Sequence, residues 1–378
     1  MKLKKIATVL LANAIACLPS MAATVYEKDS TALDIFGRID ASYMNDHAAR
    51  SLRGNLRSTN AGGDNSLLNS ARFGISGRSR VSQSVQAIGM AEWDMPFNQN
   101  SSASVRYMFA GVNAQQYGTL IAGRGNDAYA AVAGVTDIFD MLDNESNDYY
   151  IFGDTVPGQI MYSLSALGWD ARISVQSAVE NLNGLFNIDS GCAFSVATRF
   201  KSGFSFAYGA SYTDFSYEEG QGDMTTFFGG MYKRAQKASD SVSESEYGLD
   251  HHPSYKVNKG IALSWGNLGD GLYIGALFNV TRYKGLPHHL YDYELATDYT
   301  FSSGFEIKAA YGTQLYNGDP VIEDLTVGLA WHPVPAFKIY AEGQFDLGAS
   351  PSKLYGDTWI KDLALGESRF SAGMRYMF

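Results

Sequence analysis

Side chains able to do covalent chemistry are not spaced for catalysis in this 378-residue chain. Six histidines stand at His47, His251, His252, His288, His289 and His332, none embedded in a recognisable catalytic spacing. Gly74-Ile75-Ser76-Gly77 places its second glycine one residue too early for a nucleophile elbow. The pairs His251-His252 and His288-His289 fall in expected loops, where they could hold a metal or simply stand solvated. One of the two cysteines, Cys17, lies in a segment expected to be removed. Cys192 then has no partner for an internal disulfide and reads as a small strand residue. Nothing here points to an enzyme, so the pattern along the chain carries the information.

Its first residues form an export signal. Lys2, Lys4 and Lys5 make a basic start, Ile6 to Leu18 an apolar core, and Ser20-Met21-Ala22 a small-residue site, which predicts cleavage before Ala23. A lipoprotein signal ending at Cys17 is the alternative, although Ala14 occupies the place that normally wants leucine. Loss of the three lysines moves the net charge from −10 to −13. An acidic chain without basic clusters argues against nucleic acid as a partner. Past the signal no apolar run reaches about 18 residues, so no transmembrane helix is available. Charged residues make up 18%, beside 39 Gly, 24 Tyr and 21 Phe, a balance suited to many short strands with aromatic anchors.

The elements that must position any site are therefore strands. At the end of the chain Phe370, Ala372, Met374, Tyr376 and Phe378 share one face, with Arg369, Ser371, Gly373 and Arg375 on the other. At the start of the mature chain Leu33, Ile35, Gly37, Ile39, Ala41 and Tyr43 oppose Asp34, Phe36, Arg38, Asp40 and Ser42. First and last strands that are both this amphipathic suit a sheet closed on itself, with one face to lipid and the other to water. Aromatics flank the turns between, as in Phe200 and Phe204 around Lys201-Ser202-Gly203, or Phe301 and Phe305 around Ser302-Ser303-Gly304. Such rings build an interfacial girdle in a membrane.

Seven short turns are legible, near Val81–Ser84, Ala114–Tyr117, Ser165–Trp169, Lys201–Gly203, Asn267–Gly271, Ser302–Gly304 and His332–Ala336. Long polar segments alternate with them: Asn45–Leu68, Gly125–Asp148, Thr213–Asn258 and Gly348–Gly366. This predicts an all-β fold, a transmembrane antiparallel β-barrel of 16 strands. If Thr225–Lys233 is one more strand, with a hidden turn near Ala238–Ser241, the count becomes 18. Either barrel is too wide for side chains to fill and leaves an aqueous bore.

The mature start, Thr24-Val25-Tyr26-Glu27-Lys28-Asp29 followed by Leu33-Asp34-Ile35-Phe36-Gly37-Arg38, belongs to a wider set of recognisable segments. These include Ala71-Arg72-Phe73-Gly74-Ile75, Val105-Arg106-Tyr107-Met108-Phe109-Ala110-Gly111, Tyr117-Gly118-Thr119-Leu120-Ile121-Ala122-Gly123-Arg124 and the ending Gly373-Met374-Arg375-Tyr376-Met377-Phe378. Together they resemble the general diffusion porins of Gram-negative outer membranes, over essentially the whole mature chain.

That resemblance implies a 16-stranded homotrimer whose third long loop, here Gly125 to Asp148, folds inward to narrow each pore. It carries over Arg38, Arg72 and Arg106 as basic side chains on the facing wall, Arg124 at the loop's root, and Asp137 as their acidic partner. Opposed rows of this kind would set a transverse field across a narrow waist. Each arginine could instead be structural, paired with a neighbour such as Glu92 or Asp94, and Asp137 could cap the loop. The family's Pro-Glu-Phe-Gly-Gly tip is replaced by Phe139-Asp140-Met141-Leu142-Asp143, so Asp140 or Asp143 takes the place of the missing Glu, and Thr155 stands where a fourth wall arginine is expected. The uncharged stretch Ala128–Thr136 suits packing on the inner wall. The implied partners are outer-membrane lipid and lipopolysaccharide, the barrel-assembly machinery through Phe378, and small hydrophilic solutes and ions that diffuse passively, without a cofactor. A substrate-specific channel is the alternative.

Overall fold

The computed structural model describes residues 22–45, 66–96, 103–142, 146–149, 155–182, 186–217, 227–231, 254–357, 360 and 365–378. Strands dominate it. The first nine are β1 (Ala23–Lys28), β2 (Thr31–Met44), β3 (Ser66–Arg80), β4 (Gln86–Pro96), β5 (Ser104–Asn113), β6 (Thr119–Gly125), β7 (Val156–Ala166), β8 (Trp169–Gln176) and β9 (Val179–Leu182). After them come β10 (Phe186–Arg199), β11 (Phe204–Ser216), β12 (Tyr255–Asn267), β13 (Asp270–Tyr283), β14 (Leu290–Thr300), β15 (Phe305–Tyr316), β16 (Asp319–Val334), β17 (Phe337–Asp346) and β18 (Arg369–Met377).

All pairings are antiparallel, and β18 returns to pair with β2, Ser371 opposite Met44 and Met377 opposite Arg38. Two strands are continuations. β9 extends the line of β8 along β10, and β1 extends the line of β18 along β2, with Ala23 opposite Ile35. Counting each composite once gives a closed ring of 16. At the seam Gly37 and Phe378 exchange backbone hydrogen bonds of 2.8 and 3.0 Å. A Cβ on Gly37 would stand 2.7 Å from Cζ of Phe378, so only glycine leaves room for the terminal ring. Closure leaves no edge whose backbone groups would lack partners in hydrocarbon.

The 18-strand alternative is corrected here. β11 pairs directly with β12, Phe204 opposite Trp265 through Asp214 opposite Tyr255. The described part of the expected extra strand, Phe227 to Met231, forms a helical turn instead. Gly229-Gly230 break the alternation a strand would need, while Phe227, Phe228 and Met231 group on one side of a turn and are buried. The seven short turns stand where expected. The opposite end is less uniform than the sequence suggests, because β15 and β16 join through two residues, Asn317 (φ 53°) and Gly318 (φ 81°), a tight hairpin of the primed kind.

Alternation runs in the sense opposite to that of a water-soluble protein. Along β14, Tyr291, Tyr293 and Leu295 are exposed on the outer face, while Asp292, Glu294 and Ala296 are buried on the inner one. Ile39, Met374 and Tyr376 likewise face out, and Asp40, Ser371 and Arg375 face in. The turn ends carry exposed rings, including Phe305 stacked on Trp331 at 5.5 Å and Tyr299 beside Phe301 at 4.6 Å. Cys192 also lies on the exposed face. The expected cleavage site and the residues before it, His47, His251, His252 and Asp143 lie wholly or largely outside the described residues.

Candidate functional site: the waist of the barrel

The connection between β6 and β7 is the third loop, and it runs around the inner wall strand by strand. Its root is tied by Gln159, whose amide donates to the carbonyls of Gly125 (2.6 Å) and Asn126 (2.9 Å). The backbone N–H of Ala128 donates to Ser174 Oγ on β8 at 3.0 Å. A short helical turn, Ala130–Ala133, then packs with Ala128 and Tyr129 against Ala193, Ala207, Ala262 and Leu277 of β10 to β13. The hydroxyl of Tyr129 donates to Asn279 Oδ1 at 2.6 Å, and that of Tyr273 to the carbonyl of Val135 at 2.7 Å. Farther round, Thr136 and Ser146 both donate to Glu294 on β14, the latter at 2.9 Å. The uncharged stretch is thus a packing surface.

Glycines on the wall make this approach possible. Built Cβ atoms would stand 2.7 Å from the Val135 carbonyl at Gly275, 2.5 Å from Ser146 Oγ at Gly312, and 3.2 Å from the Phe139 ring at Gly328. Glycine inside a strand weakens it and marks close approach of another chain segment. Here the segment is the third loop.

At its tip the loop is held by charge. Glu342 on β17 accepts three consecutive backbone N–H groups, from Asp140 (2.7 Å), Met141 (2.9 Å) and Leu142 (3.1 Å). Asp140 is itself buried among Lys338 Nζ at 2.6 Å, Arg375 at 2.6 Å and Lys308 Nζ at 3.3 Å. Burial opposes a charge on Asp140, but the three cations together outweigh it and hold its carboxyl well below the usual carboxylate range. Lys308 also donates to the carbonyl of Ile138 at 2.9 Å. Asp140 therefore fastens the loop to the wall and does not line open water. Asp137, between two residues tied to the wall, is exposed.

The loop contacts named above fall on β7, β8 and β10 to β18, whereas the arginines stand on β2, β3, β5 and β6. Arg38 on β2 lies opposite Arg72 on β3, with Arg106 on β5 and Arg124 at the end of β6. Each is partly buried and held. Arg38 Nε lies 3.0 Å from Asp40, Arg72 Nε 2.5 Å from Asp94, and an Arg106 guanidinium nitrogen 2.9 Å from Glu92. Arg106 also lies over the Tyr107 ring at 4.5 Å, and Arg124 donates to Thr155 Oγ1 at 3.1 Å. The pairing with neighbouring carboxylates is thus real. It leaves the lumen wall alternating in sign, and the side chains of Arg38, Arg72 and Arg106 remain 23%, 16% and 14% exposed.

No protein-family model matches the chain. Outer membrane porin PhoE of Klebsiella oxytoca is 30% identical over 139 residues, a stretch covering 35% of each chain. Outer membrane protein S2 of Salmonella typhi is 23% identical across 99% of this chain and 100% of its own length. The structure of Salmonella typhi OmpF in complex with daunomycin superposes with a TM-score of 0.68 at 16% identity, covering 94% of this chain and all of that one. A closed ring of 16 strands, apolar outside and charged inside, agrees with these likenesses. In sequence and in fold the chain is similar to the outer-membrane porins. This porin resides in the outer membrane.

Sequence reasoning named the four arginines, Asp137 and Asp140. It did not find Glu342, Glu294, Lys308 or Lys338, which fasten the loop, nor the wall glycines beneath it. A signal for them existed. Charged residues and glycines recur at inward positions of β12 to β18 within otherwise regular alternation, which a purely water-facing wall does not require.

Proposed function

We propose that this porin passes small hydrophilic solutes and ions by passive diffusion, through the part of the bore left between the third loop and the arginine-bearing wall. One observation carries the reading: the 16-strand ring turns charged side chains inward around a third loop that folds into the bore. Side chains cannot fill a ring of that width, so water can. Exposed Asp137 and the partly exposed arginines supply charges of both signs at the waist. Asp140 acts through the position it gives the loop. In this reading residues 1–22 direct export, the working form is a homotrimer in contact with lipopolysaccharide, and Phe378 is recognised during assembly.

Purified protein in planar bilayers should conduct, and liposome swelling rates for uncharged sugars should fall with size alone. A silent bilayer would end the channel reading. One sugar passing far faster than others of its size would favour a substrate-specific channel.

Charge at the waist has its own test. In Arg72→Ala or Arg106→Ala, Asp94 or Glu92 loses its cation and the lumen gains net negative charge. The cation-to-anion permeability ratio should rise about two- to threefold, the scale of roughly 0.5 kcal/mol for a pair partly in water. Reversal potentials under a salt gradient report it, and an unchanged potential removes these arginines from the ion path.

A further inference from the structure

Beyond the third loop, toward the long connections, the inward register changes character. On β14 the inward positions Asp292 and Glu294 are polar, as is Gln314 on β15. The inward positions next to the long-connection end are apolar: Phe215 ending β11, Leu290 opening β14, Tyr316 ending β15, and Ile322 near the start of β16. Left facing water, each such side chain would forgo the gain of burying its apolar surface. All four are buried.

Their cover comes from two connections. Phe227, Phe228 and Met231, between β11 and β12, pack with Leu354, Tyr355 and Leu365, between β17 and β18. Phe228 meets Tyr283 edge-on at 5.0 Å, and Phe227 meets Tyr355 at 5.3 Å. The two backbones touch at glycines. Gly356 N–H donates to the Phe227 carbonyl at 2.9 Å, and a Cβ on Gly230 would stand 2.6 Å from the carbonyl oxygen of Tyr355. The assembly is linked to the third loop through the wall: the Tyr355 hydroxyl donates to the Gln314 side chain of β15, whose amide donates to the Ser146 carbonyl at 3.3 Å.

We infer that this aromatic plug is a second constriction, in series with the third loop, and that the two together set the size limit for solutes. The inference rests on the channel reading above. Because the plug occupies the lumen-facing ends of β11 and β13 to β16, it confines solutes on that side to the remaining sector, which continues into the arginine-bearing wall. Its core is built of aromatic rings and aliphatic side chains. It discriminates by size and leaves charge selection to the waist. Close ring packing makes it a fixed obstruction.

The test uses full-length folded protein in bilayers and liposomes. With wild type, poly(ethylene glycol) of graded length added from the long-connection side should be excluded at a smaller size than from the turn side. Gly230→Val inserts bulk where the two backbones touch, outside every strand. It should raise single-channel conductance about 1.5- to 2-fold, as expected when the open cross-section widens, and speed the largest permeant sugars more than the smallest. Combined Phe227→Ala, Phe228→Ala and Tyr355→Ala should do the same by removing packing instead of adding it. A conducting wild type with equal polymer exclusion from both sides, or folded variants with unchanged conductance and size limit, overturns the second constriction alone. A silent wild type overturns the channel reading as well.

Discussion

Asp140→Asn should loosen the waist and shift it toward anions. The substitution leaves Lys308, Lys338 and Arg375 converging without their common counter-charge, within 2.6–3.3 Å of the vacated carboxylate position. Removing one partner from a buried ionic cluster typically costs about 3–5 kcal/mol. Two readouts should move together. Thermal unfolding in detergent should fall to lower temperature, and the reversal potential under a salt gradient should shift toward anion preference, the reverse of Arg72→Ala. Asp140→Asn combined with Lys338→Gln, which restores the charge balance, should recover part of both. An unchanged potential together with an unchanged unfolding temperature would show that Asp140 does not hold the loop.

The same cluster fixes a pH dependence. Since the Asp140 carboxyl is held below its ordinary range, its contribution is present in full above the unfolded carboxylate value of about 3.9 and shrinks only as pH falls from there toward the folded value. Lowering the pH from neutral to about 4.5 should therefore leave this anchor intact. Hydrogen exchange at the amides of Met141 and Leu142, which donate to Glu342, would report release of the tip.

Gly260→Ala should displace the loop at its other end. A Cβ at that position on β12 would collide with the hydroxyl of Tyr129, which is fully buried and donates to Asn279 at 2.6 Å. Overpacking of this kind costs about 1–3 kcal/mol, and the loop can yield more readily than the sheet. Tyr129 should move away from the wall into the bore, lowering conductance by up to about half as open cross-section is lost. Because the nearest obstruction is the hydroxyl oxygen, adding Tyr129→Phe should restore most of the conductance. Wild-type conductance in folded Gly260→Ala would mean that the wall glycines are not there for the loop.

Both effects concern residues whose roles were only half visible in the sequence. Asp140 could be named as a substitute for a missing glutamate, but nothing along the chain says that Lys308, Lys338 and Arg375 meet it. They lie 168 to 235 residues away and come together only because β15 to β18 follow one another in the closed ring. Nothing along the chain sets Gly260 apart from the other glycines.

By itself the sequence determined the period and the sense of the fold. Side chains in a strand alternate strictly, so Ile39 with Tyr43 and Asp40 with Ser42 must face opposite ways wherever the strand goes, and a turn signal every strand length sets the number of strands. Seven turns sufficed for 16. Tertiary structure decided everything that depends on reach across the lumen. Which inward carboxylates would pair with arginines, that Glu342 would take three amides of the loop tip, and that Phe227 and Tyr355 would meet as a plug are matters of distance between segments far apart in the chain. Alternation says which way a side chain points but carries no term for what stands opposite it.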